Sequence, residues 1–73
     1  MPSVAVKSEI AGKVWKIESK VGDSVEEEGQ IMILESMKME IPVLAPRAGT
    51  IKAFLVAEGD SVAEGQPVAT LET

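Results

Sequence analysis

Cysteine and histidine are both missing from the 73 residues. Their absence removes thiol nucleophiles, disulfides, imidazole acid–base chemistry and the usual zinc ligand sets. A cytoplasmic location is expected, and the absence of cysteine is compatible with it without requiring it. Aromatic residues are scarce, with Trp15 and Phe54 alone. Long apolar runs are missing too. The longest is Ala53-Phe54-Leu55-Val56-Ala57, far below the roughly 20 residues a helix needs to cross a bilayer. The first 20 residues carry Lys7, Glu9, Lys13, Lys16, Glu18 and Lys20, which leaves no apolar core for a signal peptide. Positive charge is in deficit. There are 7 Lys and Arg against 12 Asp and Glu, a formal net charge of −5. Such a surface repels phosphate backbones and anionic lipid, so neither nucleic acid nor membrane is an expected partner.

What is present is a modest apolar fraction of 45%. A chain this short buries only about 60% of its unfolded surface and needs an economical fold. Residues 1–73 are read as one domain.

The chain is written twice. Shifted by 37 residues, it matches itself. Ala11-Gly12 falls on Ala48-Gly49, Val14 on Ile51 and Ile17 on Phe54. Gly22-Asp23-Ser24-Val25 falls on Gly59-Asp60-Ser61-Val62. Glu27 falls on Glu64, Ile31 on Val68, and Leu34-Glu35 on Leu71-Glu72. The constant offset means that neither half carries a net insertion. The half-repeats run from about 4 to 36 and from 41 to 73.

Each half reads as short strands. Lys13 to Ile17 and Thr50 to Val56 are rich in β-branched or aromatic residues, as are Ile31 to Leu34 and Pro67 to Leu71 to a lesser degree. Gly22-Asp23 and Gly59-Asp60 are turn pairs, because Gly accepts positive φ and Asp bonds its own local backbone. Ile41-Pro42-Val43 is extended, since Pro42 and Pro46 exclude helix there. Ile33, Met37 and Ile41 recur at a helical spacing of four, but the β-branched content and the repeat favour strand. Val14 and Ile17 lie three apart, as do Ile51 and Phe54. In a regular strand they would face opposite sides, so either a bulge or burial on both faces is required. Two similar four-strand halves point to a small all-β sandwich or flattened barrel with pseudo-two-fold symmetry, in which each half covers edges of the other.

If the halves are equivalent scaffolds, function belongs where they differ. That place is the junction, residues 35–40: Glu35-Ser36-Met37-Lys38-Met39-Glu40. It joins the last strand of one half to the first of the next, which puts Lys38 at or near a turn. Partly exposed, adaptable Met is common on surfaces that dock a partner. A solvated lysine amine is protonated at neutral pH and is a poor nucleophile. Lys38 therefore reads as a modification acceptor that another enzyme must activate.

Glu35-Ser36-Met37-Lys38-Met39 resembles the attachment motif of the biotinyl/lipoyl attachment domain family, and more narrowly that of small biotin carboxyl carriers. Pro46-Arg47-Ala48-Gly49-Thr50-Ile51, Gly59-Asp60-Ser61-Val62 and Gly65-Gln66 are similar to other segments of that family. The likeness runs from about Val4 to Glu72. It implies a barrel-sandwich hybrid, a flattened barrel of two four-stranded antiparallel sheets. It also implies biotin joined by an amide bond to Lys38, supplied by a biotin protein ligase. The domain would then carry CO2 on the biotin ring between a biotin carboxylase site and a carboxyltransferase site, itself catalysing nothing. By the same likeness Met37 and Met39 help partners recognise the tip, Glu35 guides the ligase, and Ser36 replaces a commoner Ala with little effect. Amide formation would take the formal charge from −5 to −6.

Two departures from the family pattern stand out. Members usually carry Gly in the turn before the third strand of each half. Gly65 supplies it in the second half, whereas Glu28 stands at the equivalent place in the first, with Gly29 one later. A different turn geometry is expected there. The constant offset also leaves no room for the extra loop that some acetyl-CoA carboxylase carriers hold in their first half. Three rival readings remain. Lipoyl domains share the fold but typically carry Asp before the lysine and Ala after it, so Met37 and Met39 favour biotin over lipoate. An unmodified structural sandwich of an export adaptor would belong to a longer chain with helical hairpins. An independent enzyme lacks any side-chain arrangement that could serve as its site.

Overall fold

The computed structural model describes residues 2–73, and Met1 lies outside them. Eight strands follow one another: β1 (Ser3–Lys7), β2 (Gly12–Ile17), β3 (Ser24–Val25), β4 (Gln30–Ser36), β5 (Met39–Leu44), β6 (Gly49–Phe54), β7 (Ser61–Val62) and β8 (Pro67–Glu72). They form two four-stranded sheets, ordered β1-β8-β6-β3 and β5-β4-β2-β7, with antiparallel pairing throughout. The stretch with helical spacing is the β4–β5 hairpin, so tertiary pairing prevails over that weak periodicity. No helix among the described residues is long and apolar enough to cross a membrane.

Each sheet takes two strands from each half. The halves therefore interlock rather than stack, and each covers edges the other would leave open. The Gly-Asp turns carry part of this exchange. Gly22 N–H donates to the Ile51 carbonyl at 2.8 Å, and Ile51 N–H donates to the Asp23 carbonyl at 2.9 Å. The mirror pair joins Gly59 to Val14 at 2.7 Å and Val14 to Asp60 at 2.8 Å. Within each turn the Asp side chain accepts from the backbone three residues earlier, Asp23 from Lys20 N–H and Asp60 from Ala57 N–H, both at 2.9 Å. Gly22 and Gly59 hold φ of 95° and 93°, as a residue without Cβ permits.

The three-residue spacing is resolved by bulges. The β2–β4 register slips between Val14 and Lys16, and the β6–β8 register slips between Ile51 and Ala53. Trp15 and Lys52 are the extra residues, which returns Val14 and Ile17, and likewise Ile51 and Phe54, to one face. A second pair of slips, at Ile31 and Val68, lets two successive residues enter the core. Ile31, Met32, Val68 and Ala69 are all fully buried as a result. They join Val6, Val14, Leu34, Val43, Ile51, Val62 and Leu71 in one shared core. Burying a side chain of this size contributes about 1.5–3 kcal/mol.

The turn at Glu28 departs from expectation. Glu28 adopts φ of 65°, close to the 82° of Gly65. Its N–H donates to the Ala45 carbonyl at 2.8 Å, as Gly65 N–H donates to the Ser8 carbonyl at 2.7 Å. The two turns thus share one backbone geometry, because both are fixed by the same cross-half hydrogen bond. They precede the fourth strand of each half, not the third. Paired connections are equally long in both halves, so the first half holds no extra loop. Pro42 is tolerated because β5 is an edge strand, bonded to β4 alone.

Candidate functional site

The β4–β5 hairpin is the longest pairing in its sheet. Its rungs run from Gln30↔Leu44 through Leu34↔Ile41 and Glu35↔Glu40 to Ser36↔Met39. Only Met37 and Lys38 remain to make the turn. Their φ values are 51° and 67°. Positive φ at both central residues is the signature of the type I′ turn, whose twist matches the strands it joins. That turn normally carries Asn-Gly. An L-residue in the left-handed region costs about 1–2 kcal/mol, so Met-Lys is a poor local choice. The strand pairing below it imposes the conformation.

The strained turn places Lys38 on a narrow tip. Lys38 is exposed, and among the described residues no hydrogen bond or ion pair engages its amine. Met37 is 92% exposed and Met39 63% exposed. Leu34 and Met32, inward on β4, are fully buried, which anchors the stem while the tip stays free. Glu35 and Glu40 face each other on the outer surface just beneath the tip, and Lys13 of β2 lies opposite Glu35 on its other side. Ser36 is half-buried and opposite Met39. The junction residues singled out in the sequence thus form one cluster. Gly22, Asp23, Gly59 and Asp60 lie apart from it and serve the scaffold.

Gly12 supports the tip in a way the repeat alone does not reveal. A Cβ at this position would stand 2.8 Å from the Glu35 carbonyl oxygen and 3.5 Å from Ser36 Cβ. Only glycine lets β2 run this close to β4 just beneath the tip of the hairpin. Gly49 makes the same approach to the Glu72 carbonyl, also at 2.8 Å. The repeated Ala-Gly pair is the sequence signal for both.

The repeat operation that generates the β4–β5 hairpin relates it to the place where β8 meets β1. There Thr73 N–H donates to the Pro2 carbonyl at 3.0 Å. One half-repeat boundary is therefore a closed hairpin with a lysine at its tip, and the other is an open strand pair. The arrangement can offer one mobile primary amine on a rigid stem. Among the described residues no side chain is hydrogen-bonded to that amine.

The family model described as Biotin-requiring enzyme matches residues 1–73. The chain belongs to this biotin/lipoyl attachment family. It is 47% identical over 62 residues to the biotin/lipoyl attachment protein of Bacillus subtilis, covering 85% of each chain. It is 42% identical over 60 residues to the biotin carboxyl carrier protein of Streptococcus mutans, covering 82% of this chain and 46% of the relative. Among solved structures, the urea carboxylase of Kluyveromyces lactis superposes with a TM-score of 0.92 at 35% identity. That match covers 99% of this chain but only 6% of the carboxylase. The two-sheet fold expected from the family likeness is the fold observed. The tip also suits the family's covalent group. Amide formation needs an accessible amine with nothing to displace, and Lys38 provides it.

Proposed function

We propose that this chain is a non-catalytic biotin carboxyl carrier, with biotin joined through an amide to the Lys38 Nζ. The observation that carries the reading is the two-residue tip, which sets Lys38 between two exposed methionines on an otherwise closed scaffold. A biotin protein ligase supplies the activated carboxyl group, since nothing around Lys38 could activate it. Glu35, Ser36, Met37 and Met39 present the surface the ligase grips. When bound, biotin supplies the ureido nitrogen that accepts and releases a carboxyl group.

The rest is the work of this chain. The paired stem of β4 and β5 holds the attachment point still. The lysine side chain provides a flexible arm, so a tethered reactant samples partner sites at high effective concentration. The partners of this reading are a biotin carboxylase and a carboxyltransferase, and its setting is the cytoplasm. Lipoate on the same lysine is the lesser alternative, disfavoured by methionine on both flanks.

The test is transfer. Ligase-loaded domain is mixed with a biotin carboxylase, ATP and labelled bicarbonate, beside the same mixture with Lys38→Arg. Label that becomes protein-bound on the wild type alone supports the carrier role. Equal labelling of both, or of neither, refutes it.

A further inference from the structure

The two halves are paired with each other more than either is with itself. Among the described residues, four of the six strand pairings cross between halves: β1–β8, β2–β7, β3–β6 and β4–β5. Only β2–β4 and β6–β8 lie within one half. Neither half closes the core alone, yet nothing in those pairings requires both halves to come from one chain. The link between the halves is the two-residue turn Met37-Lys38. Both residues hold positive φ, 51° and 67°, in a turn type that favours Asn-Gly. A short strained hinge between elements that pair across it is the arrangement that permits exchange between copies.

We propose that this chain has a second folded state, a two-fold dimer in which two copies exchange halves by opening the Met37-Lys38 turn. In that state β4, the turn and β5 become one extended strand, residues 30–44, and the first half of each copy packs on the second half of the other. Every strand pairing of the monomer recurs. The hairpin register suits the exchange. From Met32↔Val43 to Ser36↔Met39 the rungs step by one residue on each strand. The same ladder, carried through the opened turn, sets each copy's Met37 opposite the other's Lys38. No register shift is needed, and the two lysines are not directly opposed, which like charges would penalise. Both hinge residues return to extended backbone, which relieves the left-handed conformation in each copy. Lost freedom of association opposes the dimer, so concentration favours it. Exchange must break all four cross-half pairings, so it passes through unfolding and each state persists once formed. The tip does not exist in the dimer, and Lys38 lies in mid-strand.

The experiment unfolds the domain in guanidinium chloride and refolds it at about 10 μM and at about 1 mM chain, with mass read by light scattering after size-exclusion chromatography. The expected result is a monomer of 7.7 kDa at the low concentration and a dimer of twice that mass at the high one, persisting on dilution. Met37→Asn with Lys38→Gly supplies the favoured turn and raises the concentration of half-dimerisation by about tenfold or more. Glu35→Cys with Glu40→Cys tests the exchange itself. These positions face each other across the hairpin, at a Cα separation of about 4.5–5.5 Å, which a disulfide spans. Oxidised as a monomer, this variant holds its hairpin shut and refolds as a monomer at both concentrations. Reduced, refolded at about 1 mM and then oxidised, it gives a covalent dimer on a non-reducing gel. The reduced form is thus its own control for folding. Wild type that stays monomeric at the high concentration overturns the proposal. So does a dimer that forms equally with the hairpin stapled shut, or one whose cysteines close within single chains, because those copies associate without exchanging halves. An Asn-Gly variant that dimerises as readily as wild type also overturns it, because the strained turn would then not drive the exchange.

Discussion

Glu28→Gly raises the stability of this domain, and the structure gives the size of the gain. Glu28 sits at φ of 65° with an exposed side chain, so its removal relieves backbone strain and loses little packing. An L-residue in that region costs about 1–2 kcal/mol. Glycine returns about 0.4–1 kcal/mol of this through its greater freedom in the unfolded chain. The net expectation is about 0.5–1 kcal/mol in favour of the variant. For a domain of this size that raises Tm by about 2–8 °C. Glu28 also follows Glu26 and Glu27, so relief of charge repulsion could mimic the effect. Glu28→Gln separates the two, because it removes the charge and keeps the strain. The second half supplies the reverse test. Gly65 holds φ of 82°, and a Cβ there would have no atom within 4 Å. Gly65→Ala therefore meets only the conformational penalty and destabilises by about 0.5–1 kcal/mol. Thermal and urea unfolding followed by circular dichroism measure all three. The reasoning fails if Glu28→Gly does not exceed Glu28→Gln, or if Gly65→Ala is neutral.

Three further outcomes are expected. Lys38→Arg keeps the fold and Tm but accepts no biotin from a ligase, as an avidin blot and a melting curve together would show. Gly12→Ala puts a Cβ 2.8 Å from the Glu35 carbonyl and destabilises by about 1–3 kcal/mol; an unchanged urea midpoint would contradict the close approach. Asp23→Ala removes the acceptor for Lys20 N–H and costs about 1 kcal/mol, with Asp60→Ala matching it within error if the two halves are energetically equivalent.

The functional centre was legible because repetition makes exceptions visible. Once Gly22-Asp23 and Gly59-Asp60 are recognised as the same turn, Met37-Lys38 stands out as a turn with no counterpart. The paired turns and the interlocked halves follow from patterns of residue type, whereas the Val14–Ile17 spacing leaves a bulge and burial on both faces equally open, and the strand register decides for the bulge. Other features depend on contacts distant in sequence. The strands Ser24–Val25 and Ser61–Val62 are two residues long and exist through their neighbours. Ser8 is buried, and its hydroxyl donates to the Ile10 carbonyl; its repeat partner is the apolar Ala45, so the repeat does not foretell a buried polar group there. The left-handed backbone at Glu28, Met37 and Lys38 is hidden for one reason. Glu, Met and Lys have no local preference for it, and pairing in the surrounding sheets decides the outcome.

The measurement that bears most directly on the carrier role is the intact mass of the domain after co-expression with a biotin ligase, with peptide mapping of residues 35–40. A single biotinyl adduct, located on Lys38, is the predicted result. A lipoyl adduct on Lys38 would contradict the choice of biotin. A folded domain that emerges unmodified beside a competent ligase would contradict attachment altogether and leave an unmodified structural sandwich.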